Sequence, residues 1–155
     1  MIVLGIGLNS LLLINNPKKI NYSELVATAE KQIRLIEKIN NSNAPLAIKL
    51  EDGSVVTLSK NAKLSYPRHF EPNKRQVFLS GEAFFEITKN PQKPFFVYSN
   101  EVITKVLGTS FTIQAFEDSQ EVIVSVKTGR VSVFNPSKVT FADTEEEALI
   151  ITPNQ

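Results

Sequence analysis

The chain offers few residues that could do chemistry. His69 is the only histidine, so a Ser-His-Asp arrangement would have to be built on it, and a second imidazole for a metal is lacking. It sits in Tyr66-Pro67-Arg68-His69-Phe70, a proline-containing connection that reads as an exposed loop. Glu82 and Glu86 are four apart within a strand pattern and so share one face of a sheet. Paired carboxylates about 5–9 Å apart serve glycoside hydrolysis. Solvated side chains, or partners of cross-strand Lys and Arg, are the simpler reading and the one favoured. The run Glu145-Glu146-Glu147 after Asp143 reads as a solvated turn. With no cysteine, disulfides, Cys-based zinc sites and thiol nucleophiles are excluded. Leu107-Gly108-Thr109 and Ser80-Gly81-Glu82 carry single glycines between strand runs, where glycine marks bulges or tight turns rather than a phosphate-binding loop. The paired Phe84-Phe85 and Phe95-Phe96 would each place one ring inward and one outward in a strand. Core filling explains them better than a sugar platform. No catalytic, cofactor-binding or metal-ligating residue is expected, and the chain reads as a non-enzyme.

These residues lie almost entirely on strand-like segments. Ser23 to Asn40 is the only stretch with a helical pattern: Asn21 and Glu24 have capping-box spacing, and Leu25, Val26, Ala29, Ile33 and Ile36 recur at helical intervals. The spacing predicts a helix over 22–30 and leaves 32–39 open between helix and strand. From Leu46 onward alternation takes over. Leu46, Ile48 and Leu50 are followed by Asp52-Gly53, a pair suited to a two-residue hairpin, and then by Val55 to Leu58. Further runs occupy 63–66, 75–80, 82–88, 94–98, 101–107, 110–116, 121–127, 130–134 and 148–152. Thr128-Gly129 is predicted to turn one run into the next, ending at Val131 and Val133. About ten short strands without repeated crossover helices predict an all-β fold. A sandwich, a barrel or a short solenoid-like arrangement would each fit, preceded by a short helical segment.

The 155 residues suffice for one domain with its own core. Seventeen Lys and Arg oppose sixteen Asp and Glu for a net charge of +1, and no basic stripe appears locally, so nucleic acid is not an expected partner. Residues 2–14 are apolar except for Asn9 and Ser10. That run is shorter than the roughly twenty residues a bilayer requires and lacks the basic flank and cleavage site of a secretory signal. It reads either as the outer end of a transmembrane helix or as a buried segment.

The segments LEDGSVVTL (50–58), LSYPRHF (64–70), RQVFLSGEAFFEITKNPQKPFFV (75–97), KVLGTSFTIQAF (105–116) and VSVKTGRVSVF (124–134) together resemble the FecR family in order and spacing, in the style of its Bacteroidetes members. Glu51 departs from a common proline, and Lys60-Asn61-Ala62 from a more polar turn. The motif residues are Asp52, Gly53, Gly81, Glu82, Ala83, Phe84, Phe85, Gly108, Thr109, Phe111 and Gly129, and they read as structural. Asp52-Gly53 and Thr128-Gly129 would supply hairpin turns. Gly81 and Gly108 would supply breaks, and Gly108→Val should cost at least about 1 kcal/mol if φ at Gly108 is positive. Ala83, Phe85 and Ile87 would line one strand face and Phe84 the other.

The resemblance implies a periplasmic sensor and relay domain of an anti-sigma factor anchored in the inner membrane. Such proteins carry signal from the signalling domain of a TonB-dependent transporter, serving iron or glycan uptake, to an extracytoplasmic-function (ECF) sigma factor. On this reading residues 1–16 are the remnant of a transmembrane helix, 17–44 a membrane-proximal helix and linker, and 45–155 the β domain. The sigma-binding region and a C-terminal transporter-contacting domain would lie outside the chain. The membrane would be met only through the N-terminal segment. The alternative is a carbohydrate-binding β-sandwich module, and a third hypothesis is a glycan-active enzyme built on Glu82 and Glu86.

Overall fold

The computed structural model describes residues 20–119, 121–135 and 148–153. It is all-β apart from one short helix, α1 (Tyr22–Glu30). The Asn21 side chain accepts a hydrogen bond from the Glu24 backbone N–H at 3.0 Å, which satisfies one of the amide donors a helix start leaves open. Tyr22 is buried, and its hydroxyl lies 2.6 Å from Ser65 Oγ and donates to Glu37 Oε2 at 3.0 Å. That anchor fastens α1 to the sheet. Residues 35–39, left open by the sequence pattern, form β1 (Leu35–Ile39), paired antiparallel with β4 (Lys63–Pro67). Among the described residues no helix is long and apolar enough to cross a membrane. Residues 1–16, expected to be a transmembrane remnant, lie outside the described residues, as do Asp143 and Glu145-Glu146-Glu147.

The other strands are β2 (Leu46–Lys49), β3 (Val55–Leu58), β5 (Arg75–Glu86), β6 (Phe95–Ser99), β7 (Val102–Val106), β8 (Ser110–Ala115), β9 (Ile123–Thr128), β10 (Val131–Phe134) and β11 (Leu149–Ile151). The two runs expected at 75–80 and 82–88 are one strand of twelve residues. Its first half pairs with β4 and β6, and its second half with β3 and β8. Gly81, at φ +93°, is where β5 passes from one set of neighbours to the other. The result is one open sheet bent through β5, not a closed barrel. Both halves contribute to a single apolar cluster that includes Val56, Leu58, Leu79, Phe85, Phe95, Val97, Ile113 and Val131. The Phe85 and Phe111 rings stack there at 4.9 Å with 3° between their planes. Phe84 and Phe96 are the half-buried members of their pairs, as strand alternation requires.

One pair is parallel: β5 and β6, in register from Arg75↔Phe95 to Phe78↔Tyr98. Parallel neighbours need a long crossover, commonly a helix. Here the second half of β5 and the following loop make that crossover without one.

Two turn predictions need correction. Asp52-Gly53 does not form a two-residue hairpin loop. The Gly53 N–H donates to Leu50 O at 3.1 Å, Leu50 N–H donates to Ser54 O at 2.8 Å, and only Gly53, at φ +86°, is left-handed. This is a turn over 50–53 closed by a glycine bulge, the three-residue solution to a hairpin. Thr128-Gly129 does not join a hairpin at all. β9 pairs with β8, whereas β10 pairs with β7 and β11, so Gly129 carries the chain from one half of the sheet to the other.

Candidate functional site

Of the motif residues, Gly81, Glu82, Ala83, Phe84 and Phe85 lie along β5, Phe111 on β8, and Gly129 between β9 and β10. The other four, Asp52, Gly53, Gly108 and Thr109, lie where three connections meet: residues 50–54, 87–94 and 107–109. At their centre is Arg75, the first residue of β5, only 1% exposed. Its Nη1 donates to Asp52 Oδ2 at 2.7 Å and to Thr88 O at 2.9 Å, its Nε to Lys93 O at 2.8 Å, and its Nη2 to Leu107 O at 3.5 Å. The guanidinium also sits 5.3 Å from the centre of the Phe95 ring. A buried cation is tolerable only when paired and hydrogen-bonded, and Arg75 has one carboxylate and three carbonyls. Asp52 in turn accepts from Ser54 N and Ser54 Oγ at 3.0 and 2.8 Å, and Ser54 Oγ accepts from Thr88 N at 3.0 Å. Asp52 is therefore both a turn residue and the counter-ion of the crossing. Sequence reasoning missed Arg75, because a single Arg at the start of a strand run looks like a solvated residue. Its ion pair spans residues far apart in sequence.

Gly108 owes its place to space rather than to φ. A Cβ there would lie 2.4 Å from Lys89 Cα, and φ at Gly108 is not left-handed, which corrects the reason given for Gly108→Val. The chains meet this closely because Ile87 N–H donates to Thr109 O and Asn90 N–H to Leu107 O, at 2.9 and 2.8 Å. Gly129 combines φ +80° with a second close approach, 2.6 Å from a built Cβ to Thr109 Cγ2. Between these two contacts lies an open cleft of about 440 Å³ lined by Lys89, Lys105, Thr109, Arg130, Phe134 and Ile150, among others. Among the described residues its lining contains three cations and no carboxylate. Thr109 is buried, and its hydroxyl has no hydrogen-bond partner among the described residues.

The enzyme-like candidates do not assemble. Glu82 is half-buried and Glu86 exposed, facing Gln114 and Ser110 in register with β8, so they do not form an enclosed carboxylate pair. His69 is exposed, and its Nδ1 is 3.0 Å from Glu51 Oε2. The other Glu51 oxygen accepts from the Phe70 backbone N–H. That amide first, and His69 second, hold the Glu51 carboxyl below its ordinary range. Glu51, which stands where the resemblance expected proline, thus ties the 50–54 turn to the loop after β4. Burial raises the hydroxyl pKa of Tyr22, Tyr66 and Tyr98. The aromatic pairs serve the interior: Phe85 and Phe111 are fully buried, and Phe78 stacks on Tyr98 at 5.2 Å. Among the described residues no group of His, Asp or Glu is arranged to hold a metal ion.

Comparison with known proteins agrees with this architecture. No curated protein matches the chain. Two crystal structures of a Parabacteroides distasonis protein, provisionally described as an anti-sigma factor, are 34% identical to it. One superposes with a TM-score of 0.68 over 78% of this chain and 53% of that one, the other with 0.67 over 77% and 52%. The chain thus spans about half the length of these solved relatives. The FecR protein family model matches residues 38–132, from β1 to β10, which includes Asp52, Arg75 and all the motif glycines. On that match, over more than half its length, the chain belongs to the FecR family.

Proposed function

We propose that this chain is the sensor and relay domain of a transmembrane anti-sigma factor. It lies in the periplasm, anchored to the inner membrane, and passes signal from a TonB-dependent transporter to an ECF sigma factor. The observation that carries this reading is the FecR match over residues 38–132, supported by the likeness to a protein provisionally described as an anti-sigma factor. The regulatory character of the family fits a domain whose polar residues brace loops instead of forming a reaction centre. A bent sheet with one shared core is suited to transmit force or position, because packed interiors deform little.

The test is capture from an envelope extract, with the 155-residue chain and the full-length product of its gene as parallel baits. A TonB-dependent transporter retained by the full-length protein alone makes this domain a spacer within the relay. Retention by the chain itself places a receptor contact on the β domain, and retention by neither overturns the transporter relay. Location is tested separately. The chain has no cysteine, so a single Ser125→Cys at an exposed position of β9 reports its compartment. Labelling of the full-length protein in spheroplasts by a membrane-impermeant maleimide is the expected result, and labelling only after lysis would refute a periplasmic domain.

A further inference from the structure

We propose that the open edge of β9 pairs with β9 of a second copy of this chain, joining two sheets into one across a twofold axis. The inference does not depend on the relay reading. In their half of the sheet the strands run β2, β3, β5, β8, β9, and β9 pairs only with β8 among the described residues. A strand with one open edge accepts another strand through main-chain hydrogen bonds. Ile123, Val124, Ser125 and Val126 pair one for one with β8, and the register shift comes only beyond Val126. The edge is therefore regular where an added strand would meet it. Apolar surface runs along it: Ile123 is 49% exposed, and Val122 and Val124 pack on the core yet stay half-buried.

Charge complementarity selects a second copy as the occupant. Residues opposite each other in an antiparallel pair share a face of the sheet, so a twofold register must centre on a residue. Centred on Val124, the register sets Val124 against its own counterpart, Val122 against Val126, Ile123 against Ser125 and Glu121 against Lys127. Each core-face valine then meets another valine, which carries the core past the edge. On the outer face the symmetry makes two Glu–Lys pairs. Glu121 and Lys127 are exposed, and neither has an ion-pair partner among the described residues. Lys127 is held at that face by the Phe84 ring, 5.6 Å from its centre. Centring on Ile123 would set Glu121 against Ser125, and centring on Ser125 would set Lys127 against Ile123, so the charges select Val124. The other edge strands offer no such match. Centred on Glu37, β1 would oppose two carboxylates, and the short β2 and β11 contain no acidic residue.

The test is sedimentation equilibrium of the full chain. A concentration-dependent dimer is expected, weakened about tenfold by Glu121→Lys or by Lys127→Glu, because each turns two attractive cross-strand pairs into two repulsive ones. Both side chains are exposed, so each variant should keep the circular dichroism of the wild type. Glu121→Lys combined with Lys127→Glu in one chain restores both pairs and should dimerise as the wild type does. An equimolar mixture of the two single variants should recover the same affinity, since each supplies the charge the other lacks. Lys38→Glu on β1 should change nothing. A chain that stays monomeric at millimolar concentration overturns the proposal. So does a dimer that neither single variant weakens, which would put the interface elsewhere. Losses that the mixture fails to recover also overturn it, since the two residues would then not face each other.

Discussion

Arg75 and Glu51 represent two ways in which a polar side chain is committed in this fold. The guanidinium of Arg75 is enclosed and bonded to Asp52 and to three carbonyls from two further connections, so removing either charge strands the other. Breaking such a buried pair from one side typically costs about 3–5 kcal/mol. Asp52→Ala and Arg75→Ala should therefore each lower the urea midpoint sharply, and a loss below about 1 kcal/mol for both would show the pair to be dispensable. Glu51 acts at the surface and through pH. Its folded pKa is depressed below 4.5 by the Phe70 amide and then His69. The stability it contributes is therefore complete above the unfolded value and lost as pH falls through the lower folded one. Glu51→Gln should flatten that part of the acid limb of the stability curve. An acid limb identical to wild type would remove Glu51 from the account.

Among the elements, the connections carry more of the constraint than the strands. Gly108 and Gly53 both lie in motif segments, yet they answer to different physics. At Gly53 the turn demands φ +86° and a Cβ would find only Thr88 Oγ1 at 3.5 Å. Gly53→Ala should therefore lose about 1–2 kcal/mol from left-handed strain alone. At Gly108 the obstruction is Lys89 backbone at 2.4 Å, which cannot rotate away. Gly108→Ala must push two hydrogen-bonded connections apart, a loss of about 1–3 kcal/mol by analogy with overpacking. Hydrogen exchange distinguishes the two: the amides of Ile87 and Asn90 should exchange faster in Gly108→Ala and stay protected in Gly53→Ala. Equal protection in both would mean that Gly108 is not a spacing residue. Helix α1 is held mainly through Tyr22, and Tyr22→Phe removes the partner of the fully buried Ser65 hydroxyl. An increase in α1 exchange without global unfolding is the expected signature.

For the whole molecule, β5 is the organising strand. It belongs to both halves of the sheet, and the residues of each half lie in one apolar cluster. Such a core should unfold in a single transition. Circular dichroism and tyrosine fluorescence, which samples Tyr66 and Tyr98 in the half that contains β4 and β6 and Tyr22 bonded to it through Ser65, should give coincident denaturation curves. Separated midpoints would divide the molecule at Gly81. A concerted core also bears on the relay reading. A domain that moves as one body passes a displacement from the β11 edge to the β1 edge without local melting between them.

What was legible in the sequence is what depends on near neighbours. Alternation placed most strands within a residue or two, though it divided β5 at Gly81 into two runs, because burial of every second side chain is a local pattern. Asn21 and Glu24 marked the helix start through a bond that spans three residues. The FecR motif segments identified the family, since their order along the chain is itself sequence. The ambiguity of 32–39 was of another kind: Ile33 and Ile36 fit a helical period while Ile33, Leu35 and Ile39 fit a strand period, and pairing with β4 decided for a strand. Tertiary structure alone decided which strands pair, that Gly129 crosses between halves of the sheet, and that Gly108 yields space to Lys89. It alone buried Arg75 against Asp52, twenty-three residues away, and gathered Lys89, Thr109 and Arg130 around one cleft. Those outcomes rest on contacts between distant segments, whose energies no local periodicity records.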